Sequence, residues 1–149
     1  MKMVLDEKAI LTLSTGIFAG VGTTISLAAV PAILASSDPL PVWRNMYDNG
    51  KAMAMISIFV TNVAGVRLYI IEKDTNYLIV SGISLSIFFW TLATMHYPIN
   101  SVLCAIEDKN KVAEDAKIRK LISKWAQKQW VRTTLGVAAF VVAVMACKK

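Results

Sequence analysis

The chain has 149 residues, of which 56% are hydrophobic and 17% charged, and its formal net charge is +6. A soluble domain carries about 25% charged residues, so the composition excludes an ordinary soluble protein, while the length fits a single domain. Half of the sixteen basic residues fall within 109–132, beside apolar segments. This position favours membrane topology and lipid headgroups, and not nucleic acid, as the reason for the positive charge.

The first predicted element is a membrane span over roughly residues 9–34. No charged residue occurs from Ala9 to Ser37, and a run of about 18 or more such residues is typical of a transmembrane helix. The run is longer than the apolar part of a signal peptide, and the leader "MKMVLDEK" contains acidic residues. We therefore expect a retained span.

Small residues recur every four positions along this first span, which allows another helix to approach closely. Two alternatives follow: contact within the bundle, or contact with a second copy or another membrane protein. The residues of this stripe are Gly16, Gly20, Thr24 and Ala28.

The second and third spans are predicted over roughly residues 52–71 and 75–97. Residues 35–51, before the second span, are expected to form a loop that carries Trp43 and Tyr47. The third span ends in "MHYPINSVL", which holds the only histidine, His96, followed by Pro98 and Asn100. We expect the proline to kink the helix or to end it.

The fourth span is short unless it includes residues before it. The apolar stretch 133–147 would be about 22 Å long, against a hydrocarbon core of about 30 Å. We therefore predict a span over 128–147, which places Arg132 near the membrane interface. An amphipathic helix over 111–132 should lead into it, with Ile118, Ile122 and Trp125 on one face and a stripe of lysines on another.

The predicted fold is all-α, a bundle of four transmembrane helices in one domain over residues 1–149. An even number of spans puts both termini on one side of the membrane, called side A; residues 35–51 and 107–132 lie on side B. Side A holds six basic residues and side B the other ten (16 − 6 = 10), which favours side B as cytoplasmic. Cys104 and Cys147 fall on opposite sides, so we expect neither a disulfide nor a metal site.

Unusual polar and aromatic residues gather at the side B end. The spans contain no acidic residue along a path, which argues against a pump or ion carrier and favours a pocket that admits a lipid-soluble molecule. The candidate chemical residues are His96, Asn100 and Arg132. The candidate ligand-contacting residues are Trp43, Tyr47, Trp125 and Gln129.

Several short patterns together resemble the family of small four-helix membrane proteins that includes the fungal anthrone oxygenases. They are Gly20 and Pro31 in the first span, "W-x3-Y-x2-G" at 43–50, "P-x-N-x2-L" at 98–103 and "W-x6-R" at 125–132. The resemblance implies oxidation of an anthrone to an anthraquinone by molecular oxygen, without a metal or flavin. It further implies that Asn100, Trp125 and Arg132 line the pocket.

Within that resemblance, His96 would act as a weak base, and Arg132 with Asn100 would stabilise the anion of a phenolic anthrone. Trp43 and Trp125 would stack on the flat rings. The family often has His or Asn where this chain has Gln129, whose amide cannot act as a base. The alternative function is a non-catalytic membrane subunit that binds a larger complex, or another copy, through the Gly16–Ala28 stripe.

Overall fold

The computed structural model describes residues 2–148, with side chains from residue 6 onward; Met1 and Lys149 lie outside the described part. Helix α1 consists of Lys2–Thr24, a π-helical segment Ile25–Ala29, and Val30–Ala35. Helix α2 is Pro39–Glu72. Helix α3 consists of Asn76–Thr91, a π-helical segment Leu92–Asn100, and Ser101–Ala105. A short 3₁₀ turn, Asp108–Asn110, precedes helix α4, Asp115–Cys147.

All four helices are long and apolar enough to cross a membrane, which confirms the predicted all-α bundle of four spans. Each helix lies beside its neighbours in the order α1, α2, α3, α4, and α4 returns to α1. The protein is therefore a multi-pass membrane protein in which the predicted amphipathic segment forms the first part of α4.

Helix α2 begins at Pro39, so the prediction of a loop over residues 35–51 is wrong. Pro39 and Pro41 lie in the first turn, where a missing backbone N–H leaves no helical hydrogen bond unmade. The 34 residues of α2 are about 51 Å long, well beyond a hydrocarbon core of about 30 Å. Its first turns therefore extend beyond the apolar stretch on side B, as do the first turns of α4.

Helix α3 also continues past the predicted end of its span. The π-helical segment absorbs Pro98 without ending the helix, which terminates at Ala105. A wider turn changes which carbonyl groups receive backbone hydrogen bonds, and π-helical turns of this kind are frequent at functional sites.

Two arginines hold the side B ends of α1 and α3. Arg119 of α4 donates hydrogen bonds to the carbonyl oxygens of Leu34, at 2.9 Å, and Ser36, at 3.0 Å. Arg44 of α2 donates to the carbonyls of Leu103 and Ile106, at the end of α3. The last carbonyls of a helix lack helical partners, so each arginine satisfies a helix end and joins it to a neighbouring helix.

The buried apolar residues form two clusters, one at each end of the bundle. The side B cluster consists of Val30, Ile33, Leu40, Trp43, Met95, Ile99, Leu103, Ile106, Ile118, Ile122 and Trp125. The side A cluster consists of Leu11, Ala64, Leu68, Tyr77, Val80, Ala139, Ala143 and Ala146. The first is rich in large side chains and the second in alanine.

The small-residue stripe of α1 contacts the bundle at only one of its four positions. Gly16 lies against the ring of Phe140, whereas Gly20 has nothing within 4 Å of the position of a Cβ atom. Gly20, Thr24 and Ala28 are exposed. Contact within the bundle is therefore the wrong interpretation for these three residues, because α1 turns a different face inward. That face carries Ala19, Gly22 and Ser26.

Side A also has more charge pairing than the sequence suggested. Lys8 pairs with Glu72 at 2.9 Å, and Arg67 pairs with Glu7 at 2.8 Å. The hydroxyl of Tyr77 donates to the second carboxylate oxygen of Glu72 at 2.7 Å. The charged residues at this end of the bundle therefore pair with one another.

Candidate functional site

A cavity of about 350 Å³ lies between the four helices, from the middle of the bundle to its side B end. Its size is at the lower end of the range for small-molecule sites, about 300–1,000 Å³. Every helix contributes to the wall. The apolar lining includes Ile17, Phe18, Val21, Ile25, Met46, Met53, Met55, Ile58, Phe88 and Leu92.

Six of the seven predicted chemical and ligand-contacting residues line this cavity. They are Tyr47, His96, Asn100, Trp125, Gln129 and Arg132. They come from α2, α3 and α4, and are separated by as many as 85 positions (132 − 47 = 85). The structure brings them to one site.

The π-helical segment of α3 carries both His96 and Asn100. His96 is exposed at the surface of the bundle, and its ring lies edge-on to Tyr97, with centroids 5.1 Å apart. Asn100 is only 3% exposed, and its side-chain oxygen has no hydrogen-bond partner. A buried polar atom without a partner is unfavourable, so the Asn100 oxygen is available to a ligand that donates a hydrogen bond.

Arg132 brings a positive charge to the cavity from a half-buried side chain. Its Nη1 atom donates to the side-chain oxygen of Gln129 at 3.0 Å, while its Nε atom is buried without a partner. None of the ion pairs found among the described side chains includes Arg132. Gln129 is neutral, so it orients the guanidinium group without neutralising it.

Three aromatic side chains pack against one another at the side B end of the cavity. The rings of Trp43 and Tyr47 are nearly parallel, with centroids 4.9 Å apart. Trp125 meets Trp43 edge-on at 6.1 Å. Trp43 is fully buried behind the other two and does not line the cavity. The prediction that Trp43 contacts a ligand is therefore wrong for this cavity. Trp43 instead packs against the ring of Tyr47 and supports it.

Lys51 is a lining residue that the sequence analysis missed. Its ammonium group lies 5.0 Å from the centre of the Tyr47 ring and 3.3 Å from the carboxylate of Asp48. Residues 47 and 51 are four apart, a spacing that places them on one helix face. The predicted loop over residues 35–51 gives no such face, because the spacing has this meaning only in a helix.

The charge of the cavity wall has one sign. Lys51, His96 and Arg132 line it, and no aspartate or glutamate is among the lining residues. No group of three or more His, Cys, Asp or Glu side chains that could hold a metal ion occurs within residues 2–148. The arrangement can hold a flat apolar molecule against Tyr47 and Trp125, with a polar group near Arg132 and Asn100.

The cavity also reaches the outer surface of the bundle. Met53, Met55 and His96 line it and are at the same time exposed. The π-helical segment lies against α4, whereas α2 makes few close approaches to it. The cavity therefore has an opening between α2 and α3, beside the exposed side chain of Met55.

Comparison with known protein families gives one match. The family described as anthrone oxygenase matches residues 43–142, more than half of the chain. The match spans every predicted chemical and ligand-contacting residue. Neither a curated protein nor a solved structure matches. With its four membrane-spanning helices and this matched region, the chain belongs to the anthrone oxygenase family.

Proposed function

We propose that the protein takes a lipophilic aromatic molecule of the anthrone or quinone type from the bilayer and oxidises it with molecular oxygen at the side B interface. The observation that carries the proposal is that one largely apolar cavity holds two buried polar atoms without partners, the Arg132 Nε atom and the Asn100 side-chain oxygen. The unpartnered Arg132 N–H group is unfavourable in an empty cavity and favourable beside an anion that develops during a reaction. The Asn100 oxygen can accept a hydrogen bond from a hydroxyl group of the same ligand.

The proposed reaction converts a methylene group and O₂ into a ketone and water. His96 accepts a proton from the methylene carbon, and the resulting anion is stabilised by hydrogen bonds from Arg132. Carbon and oxygen then form a bond to give a peroxide, which takes back the proton. Cleavage of the O–O bond with loss of the second C–H proton gives the ketone and one water molecule. Molecular oxygen is thus the only oxidant, and no metal or organic cofactor enters this scheme.

The opening between α2 and α3 supports access from lipid. A flat hydrocarbon-rich molecule dissolves in the bilayer and would reach the cavity past Met53 and Met55, whose side chains adapt readily to different shapes. His96, at the rim of the cavity, would exchange its proton with water at the side B interface.

The test is oxygen consumption by the purified protein with a hydroxylated anthrone, measured above the spontaneous rate. Removal of a donor that stabilises a developing anion lowers turnover by about 10²–10³-fold, so we expect Arg132→Ala to fall within this range. Asn100→Ala should also reduce turnover, and His96→Gln should lower it by about 10²-fold or more.

The matched control is Gln127→Ala. Gln127 lies two residues before Gln129 on α4, and its side chain is exposed outside the cavity. Wild-type turnover in this variant would assign the other losses to the cavity. Absence of uptake above background in correctly folded wild-type protein would reject the oxygenase function.

The second candidate function is a non-catalytic subunit of a larger membrane complex, and it rests on the exposed part of the α1 stripe. Gly20 leaves open space at the bundle surface, so that a partner helix could approach the backbone of α1 closely. Gly20→Leu would then remove a stoichiometric partner, or a second copy, from the purified material. Unchanged composition in this variant would reject that function.

A further inference from the structure

We infer that the cavity selects a ligand that is already an anion when it binds: a flat, lipophilic aromatic molecule with an ionised acidic group. This inference rests on the proposed function only in using the same cavity. It goes further, because an oxygenase for a neutral anthrone needs no acidic group on its substrate in the bound state.

The first argument is the charge inventory of the wall. Lys51 and Arg132 are cationic and His96 adds a third basic group, while no acidic residue lines the cavity. Field lines from like charges concentrate in a cleft with apolar walls. The cavity therefore attracts negatively charged molecules.

The second argument is the condition of Arg132. A guanidinium group that is withdrawn from water normally has a carboxylate or phosphate partner, but the half-buried Arg132 donates to the neutral side chain of Gln129. Its Nε atom has no partner. An anionic group of the ligand would supply both the missing charge and a hydrogen-bond acceptor.

The third argument is the weakness of the pair that Lys51 already makes. Lys51 and Asp48 are one turn apart on α2, and their side chains are 53% and 68% exposed. Exposed pairs of this kind contribute little to stability. Lys51 can thus turn from Asp48 towards an anion in the cavity without loss of a strong interaction.

A polar neighbour of Arg132 supplies a second contact for such an anion. The indole N–H of Trp125 is buried without an acceptor, and Trp125 lines the same cavity. The Trp125 N–H can donate to a second polar atom of a ligand whose acidic group is held by Arg132, while the apolar body of the molecule fills the space between Ile17, Ile58 and Phe88.

The experiment uses two fluorescent probes with the same aromatic framework, the anionic 1-anilinonaphthalene-8-sulfonate and the neutral N-phenyl-1-naphthylamine. Each is titrated into the full-length protein in nanodiscs of phosphatidylcholine, and the signal from empty nanodiscs is subtracted. We expect the affinity of the wild type for the anionic probe to be at least about 10-fold higher than for the neutral probe, which corresponds to one charged hydrogen bond.

Substitutions then assign the selectivity to its residues. Arg132→Met should weaken binding of the anionic probe by about 10-fold or more and leave the neutral probe nearly unchanged. Lys51→Met should weaken it about 2–5-fold, as for an exposed charge, and Lys51→Arg should restore it. Lys124→Met is the control, because it removes one positive charge from an exposed position of α4 outside the cavity.

The outcomes separate this inference from the proposed function. Equal binding of both probes, or selectivity that survives Arg132→Met, overturns the anion inference and leaves the cavity open to neutral anthrones. Failure of both probes to bind argues against a ligand cavity and so against both proposals.

The acidic group could belong to a lipid headgroup or to a free lipophilic acid. Repeating the titration in nanodiscs with phosphatidylglycerol tests the source. Unchanged binding of the anionic probe supports a free acid as the ligand. Displacement of the probe by the anionic lipid, in wild type but not in Arg132→Met, keeps the anion site and assigns it to the headgroup.

Discussion

The two ends of the bundle are built from the same four helices but differ in packing and in the pairing of their polar groups. At side A, alanines at 64, 139, 143 and 146 let the helices come close together, and Lys8 and Tyr77 both bind the carboxylate of Glu72. At side B, large aromatic rings surround an open cavity in which Arg132 and Asn100 keep unpartnered atoms.

This difference distinguishes packing that stabilises the bundle, at side A, from an arrangement that lowers stability, at side B. Close contact of small residues is sufficient to join membrane helices, so the side A arrangement needs no functional explanation. Unpartnered polar atoms and empty space lower stability. Their concentration at one end is what a binding or catalytic site requires, since such sites trade stability for function.

The largest expected effect is on the side B cluster and follows from Trp43→Ala. Trp43 is fully buried and supports both Tyr47 and Trp125. Removal of a buried tryptophan should lower the free energy of unfolding by about 3–5 kcal/mol, measured by chemical unfolding in detergent. Trp130→Ala is the control, because Trp130 is 46% exposed, and its effect should stay within about 0.5 kcal/mol. Equal effects of the two substitutions would contradict a tightly filled side B cluster.

A smaller loss is expected at side A from Tyr77→Phe. The substitution removes the hydrogen bond from the buried Tyr77 hydroxyl to the Glu72 carboxylate. Hydrogen bonds to charged groups contribute about 1.5–3 kcal/mol, so stability should fall by that amount. Oxygen uptake per folded molecule should not change. Tyr97→Phe, at an exposed tyrosine, is the matched control for stability. Loss of activity in Tyr77→Phe would mean that the two ends are coupled.

Two glycines of α2 test the same contrast with one substitution. A Cβ atom at Gly65 would lie 2.3 Å from the Ser81 hydroxyl and 3.1 Å from the backbone oxygen of Tyr77. Gly65→Ala should therefore destabilise side A by about 1–3 kcal/mol. At Gly50, beside the cavity, the nearest atom is Ile25 Cδ1 at 3.6 Å. Gly50→Ala should raise stability by about 0.5–1 kcal/mol through helix propensity. Thermal unfolding measures the change in stability of both variants. A change of the same sign in both would contradict the proposed difference in packing between the two ends.

The spans and the gathering of polar residues at side B were predictable from sequence because both follow from segregation of charge along the chain. Uncharged stretches located the helices, and helix length placed His96, Asn100 and Arg132 at one end. The extent of α2 was not predictable in this way. Pro39 and Pro41 resemble loop residues unless their position in the first turn is known.

The rotation of each helix about its own axis was the second feature that the sequence did not predict. The period of four along α1 identified the small-residue face that carries Gly20, but Gly22, two residues further on, lies on nearly the opposite face of the helix. The partner side chain decides between them: Gly22 lies against Thr133, whose hydroxyl donates to the Gly22 carbonyl at 3.0 Å. The same uncertainty about rotation led to the prediction that Trp43 contacts the ligand, whereas Trp43 lies behind the cavity wall.

The smallest effect on stability, and the most direct test of the cavity, comes from filling it. Ala54 lines the cavity on α2, so Ala54→Leu places an apolar side chain into existing space. Stability should rise by about 0.5–1 kcal/mol, the usual gain from filling a cavity, while binding of the aromatic probes and oxygen uptake should both fall. Ala52→Leu adds the same atoms two residues earlier, at an exposed position that does not line the cavity. This control should leave both probe binding and oxygen uptake at the wild-type level. If Ala54→Leu bound both probes as the wild type does, the ligand would have to lie elsewhere in the bundle, and the unpartnered groups on Arg132 and Asn100 would need another explanation.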